Sequence, residues 1–386
     1  MKKSIILILI LIVVVCFGFG GCLANLFPDS KTYSSFDYFS TVITFYAYED
    51  LSTSGVEKNP DQAWADMQVS LAEMENTLSV YKDGSDIDKF NKAEAGSTIE
   101  ITKMSYDVLS MAKEIYQDTN GAYNPALYLL SDLWGFTDRF LTSYTPTKLY
   151  DRQDPQKELP SNTYINGFLS LTDFSQVVLS EVENKYFVFK PALTWSDGTD
   201  IYTMQLDLGG IVKGYASAVL RDIAYKYSAS YGYVSLGSSS IVLFSKNADD
   251  GYWDLKLKDP QDPNGYYLSA PLTVSFVSTS GNYEQYYEID GKRYCHIINP
   301  YTGRPIENTT LSTSCVMKFD KDYIKNATYS DAISTALMVM DFNDAIQYLN
   351  HKAIKGSIVA KIDGKNKVYT NIYNATILGE YEAYEG

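Results

Sequence analysis

Two histidines occur among the 386 residues, and His296 stands where an apolar strand pattern runs into a turn, in RYCHIINPYTGRP over residues 293–305. Imidazole titrates near neutrality, so a histidine held at such a turn can take a proton from a hydroxyl at working pH. A dyad with the adjacent Cys295 is not expected, because neighbouring side chains on a strand point to opposite faces. QLDLGGIVKGYASAVLRD, residues 205–222, leads from extended chain through Asp207, Gly209 and Gly210 into a helix carrying Lys213. The glycines let backbone approach a ligand closely. The helix start offers free N–H groups to an anion, and Lys213 adds a point charge suited to phosphate. A plain strand-to-helix turn with a solvated lysine has the same pattern. In YSDAISTALMVM, residues 329–340, a helix is expected to begin with Ser330 or Asp331 as its cap. Asp331 and Thr335 lie four apart on one helix face, and both offer oxygen to a hard cation such as Mg2+. A capping aspartate and a threonine bonded back to its own helix would look alike.

Three further stretches could shape a pocket. VSTSGNYEQYY (277–287) places Ser280 and Gly281 in a strand-rich region, where glycine indicates close backbone approach. LSVYKDGSDIDKFN (78–91) and NGAYNPALYLLSDLWGF (120–136) put aromatic residues beside turns, where a planar ring system could stack.

The elements that must position these groups are legible from periodicity. Apolar residues recur at helical spacing through Ala63, Met67, Leu71, Met74 and Leu78, which predicts a helix over 61–80. Further helices are expected over 104–116, stopped at Gly121, and over 210–227. Residues 37–49 are aromatic and β-branched and predict a strand. Hairpins are expected in QVVLSEVENKYFVFKP, around Glu183 and Asn184, in EIDGKRYCHII, around Asp290 and Gly291, and in IVAKIDGKNKVYT. Residues 137–165, rich in Pro, Thr, Asp and Asn, predict a long surface insertion. Hairpins outnumber strand–helix–strand units, so the expected fold class is α+β, a single domain with mixed and antiparallel sheets and packed helices.

Taken together and in this order, LSVY with the following FN, GAYNPALYLLSDLWGF, LDLGGIVKGYA, STSGNYEQYYEIDGKRYCHIINPYTGRP and DAISTALMVM resemble the ApbE family, the FAD:protein FMN transferases. The resemblance spans roughly residues 38–370. It implies a Mg2+-dependent reaction that splits the pyrophosphate of FAD, passes FMN to a Ser or Thr hydroxyl of an acceptor protein and releases AMP. By the same resemblance Asp331, Thr335 and the carbonyl of Gly210 hold the metal. Asp207 and Lys213 contact FAD, Tyr81 with Ala122, Tyr123 and Asn124 embraces the flavin nucleotide, and His296 takes the acceptor's proton. The chain departs from the family's usual pattern at Asn299 and Tyr301, where HIIDPRTG is common. It departs also at Asn124, where Asp is usual, and at SLGSSS (235–240), where LGGN is usual. Two alternatives use the same pocket: a non-catalytic flavin-nucleotide-binding surface lipoprotein, and a Mg2+-dependent FAD pyrophosphatase with water as nucleophile.

Composition bounds the partners. Apolar residues make up 45% and charged residues 20%, a globular balance, and the net charge of -15 excludes nucleic acid, whose phosphates need Lys and Arg. At the N-terminus, Lys2 and Lys3 precede an apolar run over 5–15 and then GFGGC, ending at Cys22. That pattern reads as a signal peptide over 1–21 and a lipidated Cys22, followed by a tether over 22–36 and the main domain over 37–386. An uncleaved anchor is the alternative. Either way the domain lies outside the cytoplasm, tethered to a membrane, and exported or membrane redox proteins are the acceptors the resemblance implies. With Cys16 in the signal and Cys22 lipidated, Cys295 and Cys315 remain, and in an exported protein they could form a disulfide.

Overall fold

The computed structural model describes residues 30–48, 59–137, 159–229, 231–237, 239–245 and 251–384. Its spine is a nine-stranded sheet whose strands follow one another in chain order. They are β1 (Ser30–Ser35), β2 (Ile43–Tyr48), β3 (Gly232–Leu236), β4 (Ser240–Leu243), β5 (Ser275–Gly281), β6 (Thr310–Lys318), β7 (Lys355–Ile362), β8 (Lys365–Thr370) and β9 (Glu382–Ala383). All neighbours are antiparallel except β8 and β9, which are parallel. The β7–β8 hairpin turns at Asp363 and Gly364, with φ of 50° and 77°. The separate Tyr286–Ile289 and Lys292–Cys295 hairpin turns at Asp290 and Gly291, with φ of 50° and 76°. Two successive positive φ values are the turn geometry that matches strand twist, and Asp-Gly supplies it at little steric cost.

Four long helices form the layer that carries the site: α1 (Pro60–Leu78), α2 (Lys103–Asp118), α3 (Val212–Lys226) and α4 (Tyr323–Val339). α1 buries Ala63, Met67, Leu71, Met74 and Leu78, the stripe read from the sequence, and Asn59 caps it through Gln62 N. α4 packs against α3, α2, β5 and β6, so it is enclosed on nearly all sides and shows no amphipathic stripe. Where α3 crosses α4, Gly214 is required. A Cβ there would lie 2.4 Å from the Ala327 carbonyl oxygen and 2.9 Å from Asp331 Cβ. The opposite face of the sheet is covered by a small antiparallel sheet that buries Tyr267, Leu268 and Ala270 against Val277, Val316 and Val359. A satellite core of Leu130, Trp134, Phe168, Tyr202, Tyr287 and Tyr294 buttresses the region around the Lys292–Cys295 strand.

The α+β class and the three hairpins agree with the sequence reading, and four boundaries do not. The strand expected over 37–49 begins only at Ile43, because the chain bends through Phe39 and Ser40 at φ of 52° and 51°. Residues 30–35, read as tether, are β1, whose Ser30 to Ser35 pair along β2. Within the expected insertion, Asn162–Leu169 is a helix capped by Ser161 and burying Ile165 and Phe168, while residues 138–158 lie outside the described residues. The helix expected from residue 329 begins at Tyr323 with Asp322 as its cap. Ser330 and Asp331 therefore do not cap it; they sit two turns inside, held by packing on every side. The signal segment, Cys22 and residues 23–29 also lie outside the described residues. Among the described residues no helix is long and apolar enough to cross a membrane.

Candidate active site

A cleft of about 640 Å3 opens at the junction of α1, the start of α3, β5, α4 and the turn after Lys292–Cys295. Its size lies within the ~300–1,000 Å3 common for small-molecule sites. Tyr81, Ala122, Tyr123, Asn124, Asp207, Gly210, Lys213, His296, Asp331 and Thr335 all line it. The fold thus brings together every site residue expected from the sequence that lies among the described residues.

Asp331 anchors one corner. It is 3% exposed, and its carboxylate accepts hydrogen bonds from Gly214 N at 3.1 Å and from Ser240 Oγ at 3.4 Å. Lys213 Nζ lies 3.9 Å from the same carboxylate and donates to the Gly209 carbonyl at 3.1 Å. One turn on, Thr335 Oγ1 shares a 3.2 Å hydrogen bond with Ser280 Oγ. It lies 3.7 Å from where a Gly210 Cβ would stand, so Gly210 is placed beside it. Ser278 Oγ reaches both Ser240 and Ser330, at 3.3 and 2.8 Å, so a chain of buried hydroxyls runs behind the carboxylate.

Asp207 faces them from an extended segment. The Asn91 side chain pairs with both backbone groups of Leu206, at 2.7 and 2.9 Å, and Asp207 N donates to the Pro125 carbonyl at 2.8 Å. The first two bonds tie the 204–208 segment to the Asp86–Lys92 helix, and the third ties it to the loop carrying Tyr123. Asp207 Oδ1 accepts from Gly209 N at 2.8 Å; enclosure raises its carboxyl above the usual range, against the lowering influence of that N–H and of Lys213. Tyr123 is 3% exposed, and burial beside Asp331 and Asp207 pushes its phenol well above the usual value. Asn124 lines the cleft, yet its amide is used structurally: Nδ2 donates to Thr172 O and Oδ1 accepts from Ala126 N, both at 2.9 Å. Tyr81 stands half exposed at the rim, its ring 6.5 Å from that of Tyr128 in an edge-on arrangement.

His296 continues the hairpin ladder by one residue, its N–H donating to Gln285 O at 3.0 Å. Its Nδ1 lies 3.3 Å from the same carbonyl. A carbonyl can only accept, so this contact requires the proton on Nδ1. The following turn is built by Asn299, whose Oδ1 accepts from Tyr301 N and Thr302 N at 2.9 and 3.2 Å. Asparagine performs this task as well as aspartate would. Trp134 Nε1 then ties Gly303 O to the satellite core at 2.9 Å. Cys295 is buried with its Sγ 3.9 Å from the Ile297 carbonyl, and burial raises its thiol, whereas His296 lines the cleft. Cys295 and Cys315 are both free thiols.

Among the described residues no group of three or more His, Cys, Asp or Glu could cage a metal. The oxygen groups at the α3–α4 corner are the Asp331 carboxylate and the Thr335 hydroxyl, with the Gly210 backbone beside them. That all-oxygen set with one negative charge suits a Mg2+-like cation that keeps waters and takes further ligands from a phosphate; it does not suit zinc. Gly214 and Ser240 were not singled out from sequence as site residues, whereas Ser280 was read as part of a stretch that could shape the pocket. For Gly214 the signal was present, as a third glycine inside a helical pattern.

Comparison with known proteins points one way. The model of the ApbE family matches residues 39–358. The FAD:protein FMN transferase of Escherichia coli strain K12 is 26% identical over 296 residues, covering 76% of each chain. That of Treponema pallidum strain Nichols is 27% identical over 290 residues, covering 72% of this chain and 71% of its own. In fold, the chain is similar to the flavin transferase ApbE of Vibrio cholerae, with a TM-score of 0.68 at 22% identity, covering 89% of this chain and 97% of that one. It is similar also to the ApbE protein of Thermotoga maritima, with a TM-score of 0.67 at 24% identity, covering 86% and 94%.

Proposed function

The chain belongs to the ApbE family, and on that premise we propose that it is an FAD:protein FMN transferase that moves FMN from FAD onto a Ser or Thr hydroxyl of an acceptor protein and releases AMP. The observation that carries this reading is the convergence in one cleft of a half-buried histidine, a lysine and an all-oxygen donor corner, drawn from segments between residues 81 and 335. Phosphoryl transfer needs charge neutralised around the phosphates and a nucleophile held in line, and little else from the protein.

His296 Nε2 takes the proton of the acceptor hydroxyl, whose oxygen bonds to the FMN phosphorus as the bond to the bridging pyrophosphate oxygen breaks. The electron pair of that bond leaves with AMP. Lys213 sets a positive charge against the phosphates, and Asp331, Thr335 and the Gly210 carbonyl would hold Mg2+, which when bound would withdraw charge from phosphate oxygen. Asp207, Tyr81 and residues 122–124 position the nucleotide. The N-terminal pattern supports export and tethering through a lipidated Cys22, so that acceptors are exported or membrane redox proteins.

The test is to incubate the protein with FAD, Mg2+ and an exported redox acceptor, then look for flavin fluorescence on the acceptor in a denaturing gel. Acceptor fluorescence lost on replacing its Ser or Thr by Ala supports the proposal. FAD returned unchanged would mean a nucleotide-binding lipoprotein, and free FMN with AMP a pyrophosphatase.

A further inference from the structure

Residues 204–208 lead into the cleft but belong to no strand. Met204, Leu206 and Leu208 are buried in the main core, so by two-residue alternation Asp207 is turned the other way, toward the cleft it lines. Where Asp207 points therefore depends on what fixes the Leu206 peptide groups. Asn91 fixes both. Its Oδ1 accepts from Leu206 N at 2.7 Å and its Nδ2 donates to Leu206 O at 2.9 Å, the two bonds a strand neighbour would exchange. Asn91 itself is half-buried and does not line the cleft. It is also held from behind, at the end of the Asp86–Lys92 helix. Lys190, fully buried, donates through Nζ to the carbonyls of Phe90, Asn91 and Ala93 at 3.0, 3.0 and 2.9 Å. A cation at that point satisfies carbonyls that a helix end leaves open. The Lys190 backbone is pinned in turn, its N donating to Ser97 O at 2.8 Å and its O accepting from Gly96 N at 3.0 Å.

We propose that Asn91, braced by Lys190, is a positioning residue for the transfer reaction: by clamping the Leu206 peptide groups it aims Asp207 at the nucleotide, without touching the nucleotide itself. This rests on the reading of Asp207 as an FAD contact and adds to it the group that aims the carboxylate. With the clamp removed, the 204–208 segment loosens and affinity for FAD falls, although every contact residue is still present.

The test is a double-variant cycle on the FAD dissociation constant, measured with Mg2+ at a temperature where every variant is folded. Asp207→Ala should weaken FAD about 10- to 100-fold, the contribution of one hydrogen bond to a carboxylate. Asn91→Ala should weaken it about 5- to 10-fold, because the carboxylate is misplaced rather than lost. The double variant should bind FAD within about twofold of Asp207→Ala alone, since the clamp then has nothing left to aim. An Asn91 with a merely structural role would leave FAD binding unchanged, or would multiply the Asp207→Ala loss by its own factor. Either result overturns the inference. Mn2+ affinity without nucleotide should stay within about twofold of the parent in Asn91→Ala, and a larger loss would mean that the whole cleft had given way, which also overturns it. Should Asn91→Ala not fold, Asn91→Asp takes its place in the cycle, having the same shape but no proton to donate to Leu206 O. FAD bound equally by Asp207→Ala and the parent would remove the reading on which the inference rests. A weakened Asp207→Ala beside an undisturbed Asn91→Ala would remove the inference alone.

Discussion

In Gly214→Ala the new methyl group would meet the Ala327 carbonyl oxygen at 2.4 Å, Asp331 Cβ at 2.9 Å and Thr328 Cα at 3.0 Å. None of these atoms is the end of a flexible side chain, so relief requires α3 and α4 to part until the closest contact approaches about 3.4 Å. Overpacking of this kind costs about 1–3 kcal/mol. The same movement lengthens the 3.1 Å bond from Gly214 N to the Asp331 carboxylate, a bond to a charged group that contributes about 1.5–3 kcal/mol when intact. Since the bond is weakened rather than lost, a total near 3 kcal/mol is expected. At about 2.1 cal/mol/K per residue, unfolding a chain of this length has an entropy near 0.8 kcal/mol/K, so the melting temperature should fall roughly 3–5 °C. The functional consequence should be larger than the thermal one, because the carboxylate that turns away is the sole charge of the donor corner. Mn2+ affinity, followed by electron paramagnetic resonance, should drop at least about tenfold. A variant melting within a degree of the parent and binding Mn2+ equally would refute both the helix approach and its role in aiming Asp331.

Other expectations follow from the same geometry. His296→Asn should bind FAD within a few-fold of the parent yet transfer FMN at least about a hundredfold more slowly, measured by single-turnover labelling of an acceptor; normal transfer would make the histidine structural. His351, exposed at the end of the Phe342–His351 helix, should be replaceable without effect in the same assay. Ser240→Ala should raise the Mg2+ needed for half-maximal rate about tenfold while leaving the saturated rate near the parent's, since it only aims Asp331; a Mg2+ titration that overlays the parent's would remove Ser240 from the site. Asp86 is held below the usual carboxylate range by Thr102 and Ser105, although burial opposes this. Its stabilisation is present above the unfolded pKa and lost as pH falls through the lowered folded value, so Asp86→Asn should flatten the fall in denaturation midpoint below about pH 4. An unchanged slope in that window would exclude it. Cys22→Ala should abolish lipid labelling in cells if the tether is as proposed, and undiminished labelling would favour a plain anchor.

Much of this site was legible because several short motifs, each with an ordinary structural reading of its own, occur together in one order that resembles the ApbE family. Asp-Gly turns, the α1 stripe and the four-residue spacing of Asp331 and Thr335 are local features, and the fold kept them. The misreadings arose where tertiary enclosure replaces local pattern. α4 begins at Tyr323, but its small polar residues Thr328, Ser330 and Ser334 are buried on every side and leave no 3.6-residue stripe. β1 is polar because it is an edge strand of the large sheet, so its sequence resembles a tether. Ser240 and Gln285 escaped notice for another reason. Ser240 acts through a bond to Asp331 across 91 residues, and Gln285 orients His296 through a main-chain carbonyl that any residue supplies.

The most direct measurement of the central claim is a product balance in a single turnover. FAD, Mg2+, the protein and an exported redox acceptor are mixed, and AMP, free FMN and acceptor-bound FMN are quantified against time. The account predicts that AMP and acceptor-bound FMN appear together in equal amounts, that neither forms without acceptor, and that both are suppressed in His296→Asn. AMP accompanied by free FMN whether or not acceptor is present would contradict it.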